Sequence, residues 1–141
     1  MTESRVIDQE SRRLVREDLL TNILLEAGAG SGKTQMLAER MAAGVAAGVY
    51  SVEQMAAVTF TRKAASELRG RFHLALEREL SKALTTSSLD RIANERTDRV
   101  LLALANMERF FGGTIHSFCA RRRSTGSFVT PRSPWRTIIR H

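Results

Sequence analysis

A chain of 141 residues suits one modest domain and leaves little room for a second. Hydrophobic residues at 43% and charged residues at 26% are ordinary for a globular chain; no apolar run approaches the roughly 18 residues of a membrane span, and polar Met1–Gln9 is unlike a secretory leader. Sixteen of the 22 Lys and Arg and all 15 Asp and Glu fall within residues 1–120, so most of the net +7 belongs to six arginines in residues 121–141, and charge alone does not establish a nucleic-acid partner.

The spacing of Leu14, Val15 and Leu19 among charges predicts a partly buried helix over Asp8–Leu20. Asn22–Glu26 is a short apolar run that fits a buried parallel strand. It runs into Ala27-Gly28-Ala29-Gly30-Ser31-Gly32-Lys33-Thr34, after which Met36, Leu37, Met41 and Val45 recur at helical spacing until Gly48. A second strand is predicted at Ala56–Phe60, followed by an amphipathic helix from Lys63 to Leu80 with Leu68, Phe72, Leu76 and Leu80 four residues apart. Thr85–Ser88 is a polar break, and Ser88 or Asp90 could cap a helix over Arg91–Phe110. After Gly112-Gly113, Thr114–His116 reads as a strand and Ser117–Arg121 as a helix. The order strand, loop, helix, strand, helix argues for an α/β fold with a short parallel sheet flanked by helices.

Beyond residue 121 the character changes. Both prolines and the lone tryptophan fall there, and no helical or strand period is visible. Residues 122–141 therefore read as an irregular, disordered basic tail beside a domain of residues 1–121. The single cysteine, Cys119, permits no internal disulfide, fits a cytoplasmic setting, and reads as a small buried hydrophobe.

Ala27–Thr34 is a phosphate-cradle signature in its required setting, after a strand and before a helix. Glycines let successive N–H groups face phosphate oxygens, and the following helix adds its positive end. Lys33 would reach the β- and γ-phosphates of a bound nucleotide, and the Thr34 hydroxyl would ligate Mg²⁺, which makes these two the catalytic candidates. The first position is Ala27 where the strict pattern has glycine, and the plain alternative is a glycine-rich turn.

Three segments, Ala27–Thr34, Ala57–Arg69 and Gly113–Cys119, together resemble UvrD/Rep-type superfamily 1 DNA helicases, nearest the RecB and AddA branch, over roughly residues 5–121. The resemblance implies a partial RecA-like phosphate-loop lobe, with the three segments as motifs I, Ia and Ib. It implies ATP and Mg²⁺ as cofactors and single-stranded DNA as partner, with other helicase–nuclease subunits in intact relatives and 3′-to-5′ translocation. Gln9, 18 residues before the loop, resembles the adenine-reading glutamine, since an amide both donates and accepts; the rival is a solvated helix residue. Thr59, Phe60, Thr61, Arg62 and Lys63 resemble one DNA contact. Against this stand core packing for Phe60 and a solvated helix start for the two cations. Thr114, His116 and Ser117 resemble the next DNA contact, against a simple strand-end turn.

The family also uses an Asp-Glu pair on a later strand and a second lobe, and residues 122–141 contain no acid. The expectation is thus the front of a first motor lobe, catalytically incomplete alone. Its arginine-, proline- and serine-rich end fits a frameshift, a genuine basic tail or a cut fragment. Competing readings are a phosphate-loop protein of another class, such as a small kinase or regulatory nucleotide binder, and a nonfunctional remnant.

Overall fold

A computed structural model of the chain describes residues 2–26, 30, 32–86 and 91–124. Five helices dominate: α1 (Thr2–Glu17), α2 (Lys33–Ala46), α3 (Arg62–Thr86), α4 (Arg91–Ala105) and α5 (Ile115–Ser124). Two four-residue strands, β1 (Ala56–Thr59) and β2 (Phe111–Thr114), pair in parallel, with Ala56 opposite Phe111 and Thr59 opposite Thr114. The fold is mixed α/β, mostly helical, around a short two-stranded parallel sheet. Single turns of 3₁₀ helix, Val52–Gln54 and Met107–Arg109, lead into the two strands.

The core forms where α2, α3 and α4 meet the sheet. The predicted period of four on α3 places Leu68, Phe72 and Leu76 fully inside, and Leu80 packs on the same cluster. Leu37, Met41 and Val45 of α2 and Val100 and Ala103 of α4 close around them. Phe110 ends the core at the mouth of β2, its ring centroid 5.0 Å from that of Phe72 in a tilted pair.

Three expectations are corrected. Asn22–Glu26 forms no strand, and Leu24 is 83% exposed. A strand is completed by a hydrogen-bonding neighbour, and no described segment pairs with this one. The strand expected at Thr114–His116 is instead Phe111–Thr114, and Ile115 and His116 already belong to α5. Gly112 and Gly113 pair with Ala57 and Val58 as strand residues, and crowding there, severe at Gly113 and tight at Gly112, favours glycine over larger residues. A Cβ on Gly113 would stand 2.7 Å from Ser117 Oγ and 2.9 Å from the Phe111 ring. Cys119 is exposed rather than buried, since α5 lies against the sheet only through its first turns and the Phe118 side.

Helix boundaries also differ. α3 continues through Thr86, and α4 stops at Ala105, where the Asn106 side chain donates to Leu102 O (2.8 Å) and the chain tightens into 3₁₀ geometry. α5 extends to Ser124, so the boundary placed at residue 121 falls within a helix. The expected caps Ser88 and Asp90 lie outside the described residues, as does the tail from residue 125.

α3 and α4 are joined by Glu79, whose carboxylate accepts from Lys82 Nζ (2.8 Å) and Arg96 Nη2 (2.9 Å). Partial burial pushes this carboxyl up, but the two cations outweigh that and hold it below its ordinary value of 4.5. A depressed folded-state value stabilises the fold above the unfolded value and is lost as pH falls through the folded one. Glu79→Gln is therefore expected to cost about 1 kcal/mol at pH 7 by urea unfolding, a gap that closes below pH 4.5. A gap independent of pH would refute the ion-pair account.

Candidate functional site

Gly30 and Gly32 adopt left-handed backbone conformations, with φ of +76° and +83°. A Cβ at either would meet nothing within 4 Å, so backbone conformation rather than crowding demands glycine there. Gly32 is the residue before α2, and its carbonyl accepts the first helical bond, from Met36 N (2.9 Å). Lys33 and Thr34 thus form the first turn of a 14-residue helix, both half-buried. The remaining cradle candidates, Ala27, Gly28, Ala29 and Ser31, lie outside the described residues.

The other two segments come together at the carboxyl end of the sheet, where Thr59 stands in register with Thr114. Both strands hand over to helices through a threonine. Thr61 Oγ1 accepts from Ala64 N (3.1 Å) at the start of α3, and Thr114 Oγ1 accepts from Ser117 N (3.3 Å) at the start of α5. Thr59 is buried and donates its hydroxyl to Thr61 O (2.8 Å), which shapes the turn between β1 and α3. That turn directs Phe60 outward, 75% exposed. Arg62, Lys63, His116 and Ser117 are exposed on the same rim. Nearby, Phe111 packs on Phe118 (5.4 Å), and the Arg121 guanidinium lies 5.6 Å over the Phe111 ring.

Gln9 is exposed on α1. That helix is fastened to α2 by contacts the apolar pattern did not reveal. Arg40, 4% exposed in the middle of α2, donates from Nη1 to Val15 O (2.7 Å) and Asp18 O (2.5 Å), and from Nη2 to Thr21 O (2.9 Å). Tyr50 donates its hydroxyl to Leu19 O (2.6 Å). The only hint in the sequence is an arginine on the apolar stripe of α2, three residues after Leu37 and four before Gly44. Asp18, which accepts from Thr21 N (3.2 Å), has its carboxyl held below the usual range, first by the Thr21 side chain and least by Arg40.

A left-handed glycine pair opening a helix, and two parallel strands ending in capped helices, define a mixed α/β domain built around a short parallel sheet. The UvrD/REP helicase N-terminal domain family matches residues 7–124, and the chain belongs to that family. It is 45% identical over 97 residues to the exonuclease/helicase subunit RexA of Lactococcus lactis subsp. cremoris (strain MG1363), covering 69% of this chain and 7% of that protein. It is 39% identical over 103 residues to an ATP-dependent helicase/nuclease subunit of Ligilactobacillus salivarius, covering 73% and 8%. The ATP-dependent helicase/nuclease subunit of Desulforudis audaxviator is 42% identical over 101 residues, covering 70% and 7%. The chain thus spans less than a tenth of the length of these relatives. Among the described residues no helix is long and apolar enough to cross a membrane.

Proposed function

We propose that this chain is the N-terminal part of the first motor lobe of an ATP-dependent DNA helicase, holding ATP–Mg²⁺ at Ala27–Thr34 and single-stranded DNA at the carboxyl end of the sheet. One observation carries the reading: the two left-handed glycines open directly into α2, with free space where side chains would stand. Such a turn suits phosphate oxygens, which the helix start attracts through its N–H groups. Lys33 would neutralise the terminal phosphates and Thr34 would offer its hydroxyl to Mg²⁺, which supplies charge compensation at the phosphates when bound. Gln9 would read the adenine edge.

The DNA half rests on Phe60, exposed at a strand end between two hydroxyl-bearing residues and followed by Arg62 and Lys63. Core packing does not account for a ring in that position. A base stacked on it, with phosphates on Arg62, Lys63 and the rim at Thr114, His116 and Ser117, fits the chemistry of sequence-tolerant single-strand binding. The domain occupies residues 1–121 in this reading, extended to Ser124 by α5. Among the described residues no acidic pair follows β2, so in this reading they contribute nucleotide and single-strand contacts rather than the hydrolytic step.

The DNA half is tested by anisotropy of a labelled oligo(dT) titrated with the chain at two salt concentrations. Phe60→Ala is expected to weaken binding about tenfold without changing the salt slope, since stacking is not ionic. Equal affinity of the variant and wild type would overturn the role of Phe60, and no binding by the wild-type chain would overturn the DNA contact itself.

A further inference from the structure

We propose that Arg40 is a positioning residue for nucleotide selectivity: together with Tyr50 seated on Gly44, it sets α1, and with it Gln9, relative to the phosphate loop. This rests on the reading of Gln9 and Ala27–Thr34 given above.

The chain between α1 and α2 must carry the whole loop, from Glu17 to Lys33. Four carbonyls at the end of α1 and just beyond it, at residues 15, 18, 19 and 21, are held by two side chains of the α2 region. The last carbonyls of a helix have no intrahelical donor and carry the negative end of its dipole. A buried guanidinium placed there meets three acceptors at once, all of them backbone oxygens rather than a carboxylate. Burying a cation is costly without such partners, so the end of α1 is held firmly in one place: losing the three acceptors would leave a buried charge uncompensated. The planar fork is essential, because an ammonium cannot span acceptors on both Nη1 and Nη2 sides.

Tyr50 reaches Leu19 only because Gly44 leaves space. A Cβ on Gly44 would lie 1.9 Å from Tyr50 Cδ2, inside the ring's own volume. A further tie, Arg16 to Glu39 at 3.7 Å, runs from α1 to α2 one residue before Arg40. All these ties sit on or just after the helix that begins with Lys33, so the base-reading helix and the phosphate-holding helix move as one body. The placement of Gln9 relative to Lys33 is then set through α1 and α2 by Arg40 and Tyr50.

A device of this kind affects discrimination between bases more than grip on phosphates. The test measures displacement of a ribose-labelled ATP analogue by ATP, GTP and inorganic tripolyphosphate on the full chain, with Gln9→Ala as reference. Arg40→Lys is expected to lower the ATP-over-GTP preference about tenfold and Tyr50→Phe about threefold, with tripolyphosphate affinity within about twofold of wild type. Tyr50→Phe keeps the ring on Gly44 and serves where Arg40→Lys does not fold. If all three ligands weaken in parallel, the residues are merely structural and the proposal is overturned. If Gln9→Ala abolishes the preference while Arg40→Lys and Tyr50→Phe retain it, the clamp alone falls. A wild-type chain that binds tripolyphosphate without preferring ATP over GTP removes the Gln9 reading and the proposal with it. One that binds no tripolyphosphate removes the loop assignment as well.

Discussion

Lys33→Ala is expected to lower the affinity of the chain for a ribose-labelled ATP analogue on the order of 100-fold, with urea stability unchanged within about 0.5 kcal/mol. The two readouts separate because of where Lys33 sits. It is the first residue of α2, directly after a left-handed glycine, so its backbone conformation is ordinary and alanine is the better helix former. Nothing in the apolar stripe of α2 depends on it, since Leu37, Met41 and Val45 supply the buried face. In the proposed reading, the substitution removes a point charge from the start of α2, next to the phosphates. A charge-assisted contact to phosphate contributes more than a neutral hydrogen bond, and here it addresses the most highly charged part of the ligand. Wild-type binding by this chain is expected to be weak, since in the proposed reading the nucleotide is gripped by two lobes closing on it. The titration therefore extends to millimolar nucleotide. Binding that survives Lys33→Ala overturns the assignment of Ala27–Thr34 to phosphate.

Much of this arrangement is legible in the residues themselves, and the failures have physical causes. The left-handed backbone at Gly30 and Gly32 suits glycine because that residue alone takes it without strain, which is a local property. Leu68, Phe72 and Leu76 could be placed because a period of four needs only a helix and one neighbour. Asn22–Glu26 failed for the opposite reason. An apolar run carries no statement about which strand will lie beside it, and here no described strand does. The register of β2 was hidden in Gly112 and Gly113, which resemble a turn until the Phe111 ring and Ser117 are seen crowding them. Arg40 was hidden because its partners are backbone carbonyls, which leave no trace in composition. Phe60 shows the middle case: a phenylalanine fits both a core and an exposed position, and only the turn set by Thr59 and Thr61 leaves this one exposed. Cys119 misled because its residue type is usually buried, whereas its position is set by how little of α5 the small sheet can cover.

Phe72→Ala is expected to destabilise the chain by about 3–5 kcal/mol, a large fraction of the roughly 5–15 kcal/mol typical of a whole domain. Phe72 is 0% exposed and lies midway along α3, between Leu68 and Leu76 one turn to either side. Its truncation empties the space facing Phe110 and removes a tilted aromatic pair as well as transferred area. The helices around it offer little compensation, because Ala42, Ala46, Ala75 and Ala103 already line the cluster and small residues cannot extend into a void. Leu74→Ala, two residues away and 53% exposed, is expected to change stability by no more than about 0.5 kcal/mol. Chemical denaturation of both variants, read as midpoints at constant slope, checks the contrast. Equal shifts would show that α3 is not oriented as described. The consequence reaches the proposed DNA rim through one short path. Phe110 is the residue immediately before β2, and β2 carries Thr114 opposite Thr59 four positions later. Loosening Phe110 frees the start of the strand whose end aligns the two candidate contacts. Phe72→Leu, which refills most of the space without a ring, should therefore recover oligo(dT) affinity in step with stability, whereas Phe60→Ala should lose that affinity with stability intact.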